Sequence, residues 1–340
     1  MIREAIDIVV SGRSLDRAGA SRVMQQIMQG EATPAQIAAL AVGMRMKGET
    51  PEELAGFAEA MLARAVRIDS AAELDTCGTG GDGARTFNIS TTAAFVAAGA
   101  GVRVAKHGNR AMSSQCGSAD VLETLGVRLD LEPRMVERCI REVGIGFMFA
   151  PVFHPAMKHA AAPRKEMGIR TFFNILGPLC NPAGARAQLL GVADGSLVEK
   201  MAEVMLRLGF RRALVVHGTD GLDELTLSGS SVVCEVRDGG IASYELSPGQ
   251  FGLARVSPDE LSGGSAEENA RILEAVLRGA RGPHRDVVLL NAAAALYAAD
   301  AAETIEQGFE IAAAAIDSGR AHAKLERLLE FCARVQGVAA

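Results

Sequence analysis

The sequence predicts an α/β protein: a small N-terminal helical domain beside a larger α/β domain with a mostly parallel central sheet. Three observations predict it. In residues 1–68, apolar side chains recur at helical spacing. After Glu73, short apolar runs alternate with helical stretches, the pattern of parallel strands joined by crossover helices. From residue 266 to 334 the pattern is mostly helical again.

Taken in order, Ile2, Ala5, Ile6, Val9 and Val10 share one helix face. Val23, Met24, Ile27 and Met28 share a second, Ile37, Leu40, Ala41 and Met44 a third, and Leu54, Phe57, Met61 and Leu62 a fourth. Asp16, Thr33-Pro34 and Thr50-Pro51 stand where helices start. Strands are expected at 102–105, 145–149, 188–192 and 213–216, with a helix over 93–100. The stretch 154–182 is polar, punctuated by proline, and fits no strand. The expected domains are 1–68, joined by part of 154–182, and 69–340.

At 340 residues and 49% hydrophobic content, the chain can build two cores. A net charge of −6 disfavours a general nucleic-acid binder. No apolar run approaches the roughly 20 residues of a membrane span. The first residues include acids and lack a signal-peptide pattern. Six scattered cysteines without a Cys-x-x-Cys pair suit reduced thiols in a cytoplasm.

The segment from Asp75 to Thr92 concentrates the chemistry. Gly78, Gly80, Gly81 and Gly83 surround Asp82, and Ser90, Thr91 and Thr92 precede the alanine-rich helix. Glycine permits sharp turns and close approach of the backbone to a ligand. Backbone N–H groups in such turns, and at a helix N-terminus, attract phosphate. A glycine cluster with a hydroxyl cap is also an ordinary loop entering a helix. The segment is neither a Walker loop nor a GxGxxG fingerprint.

Three further constellations bear on the choice. Lys106-His107-Gly108-Asn109-Arg110, then Ser113, Ser114 and Ser118, follow a strand end, where α/β sheets hold ligands. His217 to Glu224 follows another, and the adjacent acids Asp223 and Glu224 suit Mg2+, a cation that prefers oxygen. His154-Pro155-Ala156-Met157 leads to Arg164, a side chain suited to clamping a carboxylate. Cys77 has no sequence neighbour that would activate its thiol and reads as a packing residue.

These motifs occur in one order with Gly78-Thr79-Gly80-Gly81-Asp82, Asn88-Ile89-Ser90-Thr91, Gly117-Ser118-Ala119-Asp120 and the run from Arg170 to Pro182. Together they resemble the anthranilate phosphoribosyltransferases of tryptophan biosynthesis. The resemblance implies a nucleoside phosphorylase/phosphoribosyltransferase-like fold with the site in the cleft between two domains. It implies that Gly78, Gly81, Asp82, Thr86, Asn88, Ile89, Ser90, Thr91 and Ser118 hold 5-phosphoribosyl 1-pyrophosphate. The remaining cradle would be Lys106, His107, Gly108, Asn109, Arg110, Ala111, Met112, Ser113 and Ser114. Gly78, Asn109 and Arg164 would bind anthranilate, and Ser90, Asp223 and Glu224 would hold Mg2+. It further implies a homodimer, with no nucleic-acid or membrane partner. Gln115-Cys116 departs from the usual Lys-Ser of that family.

The implied reaction displaces pyrophosphate from the ribose by the anthranilate amine, through an oxocarbenium-like transition state. An aromatic amine is already neutral at pH 7, so no dedicated acid or base is assigned. His107 is positioned to accept a proton late, and a shaping role suits it better. The alternatives are a pyrimidine nucleoside phosphorylase and a non-catalytic, nucleic-acid-binding relative of the fold. The first would lack need of the Asp223-Glu224 pair, and the second would carry a basic surface.

Overall fold

Local capping chemistry sets the first four helices in the computed structural model, which describes residues 1–111 and 115–336. These are α1 (Ile2–Val10), α2 (Arg17–Gln29), α3 (Pro34–Lys47) and α4 (Pro51–Ala63). The Asp16 carboxylate accepts from the Gly19 N–H at 2.6 Å. Thr33 with Gln36, and Thr50 with Glu53, form reciprocal capping boxes with proline at the first helical position. Glu53 is fully buried, yet it accepts from the N–H of Leu15 at 2.9 Å and of Thr50 at 2.8 Å, and pairs with Lys47. One capping acid thereby ties the linker before α2 to the ends of α3 and α4.

The sheet follows with β1 (Leu74–Gly78), then α5 (Ile89–Gly99), β2 (Val104–Gly108), α6 (Ser118–Thr124), α7 (Pro133–Val143) and β3 (Ile145–Phe149). Residues 150–182 form short helices, among them α8 (Ala150–Phe153), α9 (Lys158–Met167) and α10 (Phe172–Leu176), and no strand. Phe172 of α10 stacks on Phe57 of α4 at 4.6 Å, so this stretch packs against the first four helices. The chain then returns through β4 (Ala187–Gly191), α11 (Val198–Arg207), β5 (Arg212–Gly218), β6 (Ser231–Arg237) and β7 (Gly240–Leu246). It ends in α12 (Ala266–Leu277), α13 (Pro283–Ala298), α14 (Ile305–Asp317) and α15 (Arg320–Gln336). Among the described residues, no helix is long and apolar enough to cross a membrane.

The strand order is β3-β2-β1-β4-β5-β6-β7, parallel up to β5 and antiparallel beyond it. The chain leaves β1 toward β2 on one side and β4 toward β5 on the other. The order reverses between β1 and β4, and the crevice beyond their carboxyl ends is where such sheets bind ligands. In that pair Gly78 lies opposite Gly191, both at the strand ends.

Several elements depart from the sequence reading. The strands β1, β6 and β7 were not among the expected ones. In β1, Asp75 and Thr76 are polar yet buried, which masks the apolar pattern. The β6–β7 hairpin turns at Asp238-Gly239, both at positive φ (52° and 78°), the pairing an Asp-Gly turn favours. Strand β2 begins at Val104 rather than residue 102. Helix α5 starts at Ile89 rather than after Thr92, so Ser90, Thr91 and Thr92 lie in its first turn and Asn88 is the capping position. Gly117 is the capping position of α6, and Ser118 is its first helical residue.

Candidate active site

Two glycines let a distant loop settle on the crevice. A side chain at Gly191 would overlap the Asp223 backbone carbonyl, and one at Gly78 would overlap the Asp223 carboxylate. Asp223 therefore lies directly over the ends of β1 and β4. Its Oδ2 accepts from the Gly80 N–H at 2.6 Å. The glycine loop wraps it with Gly80, Gly81 and Gly83 all at positive φ (67°, 77° and 74°). The loop is anchored to β4: the Thr79 N–H donates to the Gly191 carbonyl at 2.9 Å, and the Thr79 hydroxyl accepts from the Ala193 N–H at 3.1 Å.

Glu224 meets the first turn of α5. Its Oε1 accepts from the Ser90 N–H at 3.0 Å and from the Ser90 hydroxyl at 2.5 Å. Among the described residues, its Oε2 is buried with no hydrogen-bond partner. Burial raises the Glu224 carboxyl to about 7, against the lowering effect of the Ser90 hydrogen bonds and Lys106. Burial also holds Asp223 well above the usual carboxylate range, reinforced by Asp82 and then Glu224. Two buried acids thus sit where their own charges are disfavoured, and one buried oxygen is left unsatisfied. That chemistry fits a hard divalent cation such as Mg2+. No group of three His, Cys, Asp or Glu side chains is preassembled around a metal position among the described residues. The protein would supply a partial oxygen shell, with ligand phosphate and water completing it.

A pH dependence follows. The folded-state carboxyl of Glu224 lies above its unfolded value, so its stabilising contribution is full below the ordinary carboxylate range. That contribution is lost as pH rises through about 7. A cation competes with the same proton. Added Mg2+ should raise the melting temperature more above pH 7 than below it, and Glu224→Gln should weaken that pH dependence, leaving the part due to Asp223. Equal Mg2+ shifts on both sides of pH 7 in the unsubstituted chain would contradict the assignment.

The strand β2 supplies the next residues. The Lys106 ammonium is buried and donates to the Thr76 carbonyl at 2.6 Å. Asp75 beside it accepts from the His107 N–H at 3.3 Å and from the Asn181 amide at 2.7 Å. Asn181 also donates to the Ala105 carbonyl at 2.8 Å, joining β1 to β2. Burial, then the neighbouring His154, lowers the His107 imidazole to about 3. The two rings lie 5.0 Å apart, and His154 Nε2 donates to the Cys180 carbonyl at 2.9 Å. So reluctant a base suits shaping rather than proton transfer. The His107 Nε2 has no partner among the described residues.

Beyond β2, Gly108 makes room for Ser118, whose hydroxyl donates to the Asn109 carbonyl at 3.4 Å. The Asn109 side chain accepts from the Arg110 N–H at 2.8 Å. The Arg110 guanidinium is held by Glu123 and Asp120 on α6, and Asp120 accepts from the Ala111 N–H at 2.9 Å. Arg110 therefore braces the loop. Met112, Ser113 and Ser114 lie outside the described residues. Thr86 bridges to Ser262, and Asn88 contacts Cys116 and Asn269. Ile89 and Thr91 are buried within α5, with Ile89 in the core. The Cys77 thiol accepts from Gln188 at 3.0 Å, and burial holds its pKa well above the ordinary value, consistent with a packing residue.

Across the crevice, Arg164 on α9 lies over the Phe173 ring at 5.3 Å, and burial lowers its pKa. Two residues were missed by the sequence reading of the site. Asn269 braces Asn88 from α12, and nothing in its surroundings marks it. Arg170 reaches the glycine loop, where its Nη2 donates to the Thr79 carbonyl at 3.4 Å.

Comparison with known proteins agrees with this architecture. Residues 3–65 match the glycosyl transferase family helical bundle domain, and residues 70–322 match the glycosyl transferase family a/b domain. An anthranilate phosphoribosyltransferase of Thermomicrobium roseum is 58% identical over 334 residues, covering 96% of each chain. That of Symbiobacterium thermophilum is 57% identical over 334 residues, covering 98% of each. The crystal structure of the Thermus thermophilus enzyme superposes with a TM-score of 0.92 at 46% identity, over 96% of this chain and 99% of that one. The Saccharomyces cerevisiae enzyme in complex with PRPP and Mg superposes at 0.88 with 28% identity, over 98% of both chains. Fold, glycine loop and relatives converge: this chain belongs to the anthranilate phosphoribosyltransferase family.

Proposed function

We propose that this chain transfers the phosphoribosyl group of 5-phosphoribosyl 1-pyrophosphate to the amine of anthranilate in tryptophan biosynthesis, releasing pyrophosphate. One observation carries the reading beyond family membership. Asp223 and Glu224 converge on the glycine loop and on the first turn of α5, at the switch point between β1 and β4. An acid pair there answers a polyphosphate only if a cation lies between them. Ser90, Asp223 and Glu224 would hold Mg2+, which when bound neutralises charge developing on the leaving pyrophosphate.

The chain's own residues do the rest. The Thr79, Gly80 and Ser90 N–H groups hold Gly191, Asp223 and Glu224 in place, and the N–H groups left over in the glycine loop and first turn of α5 would meet the anion with fixed dipoles. Lys106 adds a buried positive charge at the end of β2. His107, held neutral by burial, shapes the wall without taking a proton. Arg164, stacked on Phe173, presents a planar guanidinium to the anthranilate carboxylate, and Asn109 and Gly78 border both substrates. Holding two substrates in one crevice supplies much of the acceleration.

Arg164→Ala should raise KM for anthranilate about 10- to 150-fold, the worth of a charge-assisted hydrogen bond of roughly 1.5–3 kcal/mol. KM for phosphoribosyl pyrophosphate should change far less. Equal effects on both would defeat the carboxylate clamp. Mass spectrometry of the reaction mixture tests the overall reading: it should find anthranilate carrying one phosphoribosyl group, with one pyrophosphate released per anthranilate consumed. A mixture unchanged in both would refute it.

Residues 1–68 with part of 154–182 form the smaller domain in this reading, and 69–340 the larger. The chain acts as a cytoplasmic homodimer. Val10 on α1, and Val42 and Met46 on α3, are exposed (64%, 37% and 83%) on two helices that pack together, an apolar face suited to a second copy. Analytical ultracentrifugation should find twice the 35.6 kDa chain mass; a single-chain mass would contradict the dimer.

A further inference from the structure

Arg170 joins the two sides of the crevice. After α9, which carries Arg164, the chain turns at Gly168 (φ +63°), and Arg170 leads into α10, which carries Phe173. The Arg170 backbone carbonyl accepts a hydrogen bond from Arg45 on α3. Its side chain runs the other way. Nη2 reaches the Thr79 carbonyl at 3.4 Å, and Nη1 lies in the space a side chain at residue 81 would need. Gly81 is favoured by its positive φ, and its missing side chain leaves the space that the guanidinium fills.

We propose that Arg170 is a positioning residue that couples the acceptor side of the crevice to the pyrophosphate loop. This rests on the function proposed above. A shift of α9 that brings Arg164 onto a carboxylate moves the 168–171 link with it. Arg45 joins the backbone of that link to α3, so the link moves with the α3–α9 side as one unit and carries the Arg170 side chain against Thr79–Gly81. The planar fork suits this task because two of its nitrogens act at separate points, one on a carbonyl and one against a glycine backbone. A lysine ammonium meets only one of them.

The test uses Arg170→Ala, Arg170→Lys and Arg45→Ala in the full chain, with initial rates over a matrix of both substrates and Mg2+. In the unsubstituted chain, KM for phosphoribosyl pyrophosphate should depend on anthranilate concentration. Arg170→Ala should raise that KM on the order of tenfold and abolish the dependence, within the usual range of coupling between sites. Arg170→Lys should not restore it, and Arg45→Ala, which leaves the side chain intact, should show a smaller loss of the same kind. A purely structural role would lower kcat and melting temperature together and leave both KM and the dependence unchanged, which would overturn the proposal. So would an active unsubstituted chain whose Arg45→Ala and Arg170→Ala forms keep its KM. An unsubstituted chain inactive on both substrates would overturn the function itself, and this proposal with it.

Discussion

With Asp223→Asn and Glu224→Gln introduced together, turnover with Mg2+ should fall by about a thousandfold or more, the scale of losing preorganised stabilisation of a transition-state charge. Both acids are buried and both have carboxyl groups pushed upward in pKa, so their charge is tolerated only beside a cation. The amides are close in size and keep the Gly80 and Ser90 N–H groups partnered through the remaining carbonyl oxygen. The fold should therefore survive. Neutralising two buried like charges should leave the melting temperature without Mg2+ unchanged or higher, which separates lost chemistry from lost structure. Near-normal kcat/KM in the double variant would refute the metal role.

The second large effect needs only one methyl group. Gly191→Ala places a Cβ on the Asp223 backbone, where no rotamer change relieves the overlap. The β4 strand is paired on both sides and cannot retreat, so the 219–224 loop must lift. That displacement carries Asp223 and Glu224 away from Gly80 and Ser90. A misplacement of about 1 Å costs on the order of a hundredfold in rate, and overpacking costs about 1–3 kcal/mol of stability. Gly78→Ala should do less, because it meets the end of the Asp223 side chain as well as its backbone. Steady-state kinetics beside thermal melting measures both; a Gly191→Ala enzyme of full activity would mean that Asp223 is not fixed by this contact.

What was legible in the sequence was local. The Asp16, Thr33 and Thr50 caps announce themselves because their partners lie within three residues. The buried runs of β3, β4 and β5 do so because strands covered on both faces are mostly apolar, Gln188 and Arg212 being the exceptions. Strand β1 was not legible, since Asp75 and Thr76 are buried polar residues answered by Asn181, His107 and Ser90, one of them 106 positions away. Ser90 looked like a helix cap, and only the family resemblance tied it to Glu224, 134 residues on. Gly191 carried no signal at all: its reason for being glycine is Asp223, visible only once β4 is paired with β1. Arg170 and Asn269 belong to the same class, long-range braces: Arg170 opens a run the resemblance uses, yet nothing local ties it to Thr79, and Asn269 stands in ordinary surroundings.

Anthranilate fluorescence, followed with phosphoribosyl pyrophosphate and Mg2+ beside a thymidine phosphorolysis assay, reads the phosphoribosyl transfer itself. Fluorescence should be lost only when protein, phosphoribosyl pyrophosphate and Mg2+ are all present, and no thymine should be released. Persistent fluorescence with all components present, or thymine released from thymidine and phosphate, would contradict the proposed transfer.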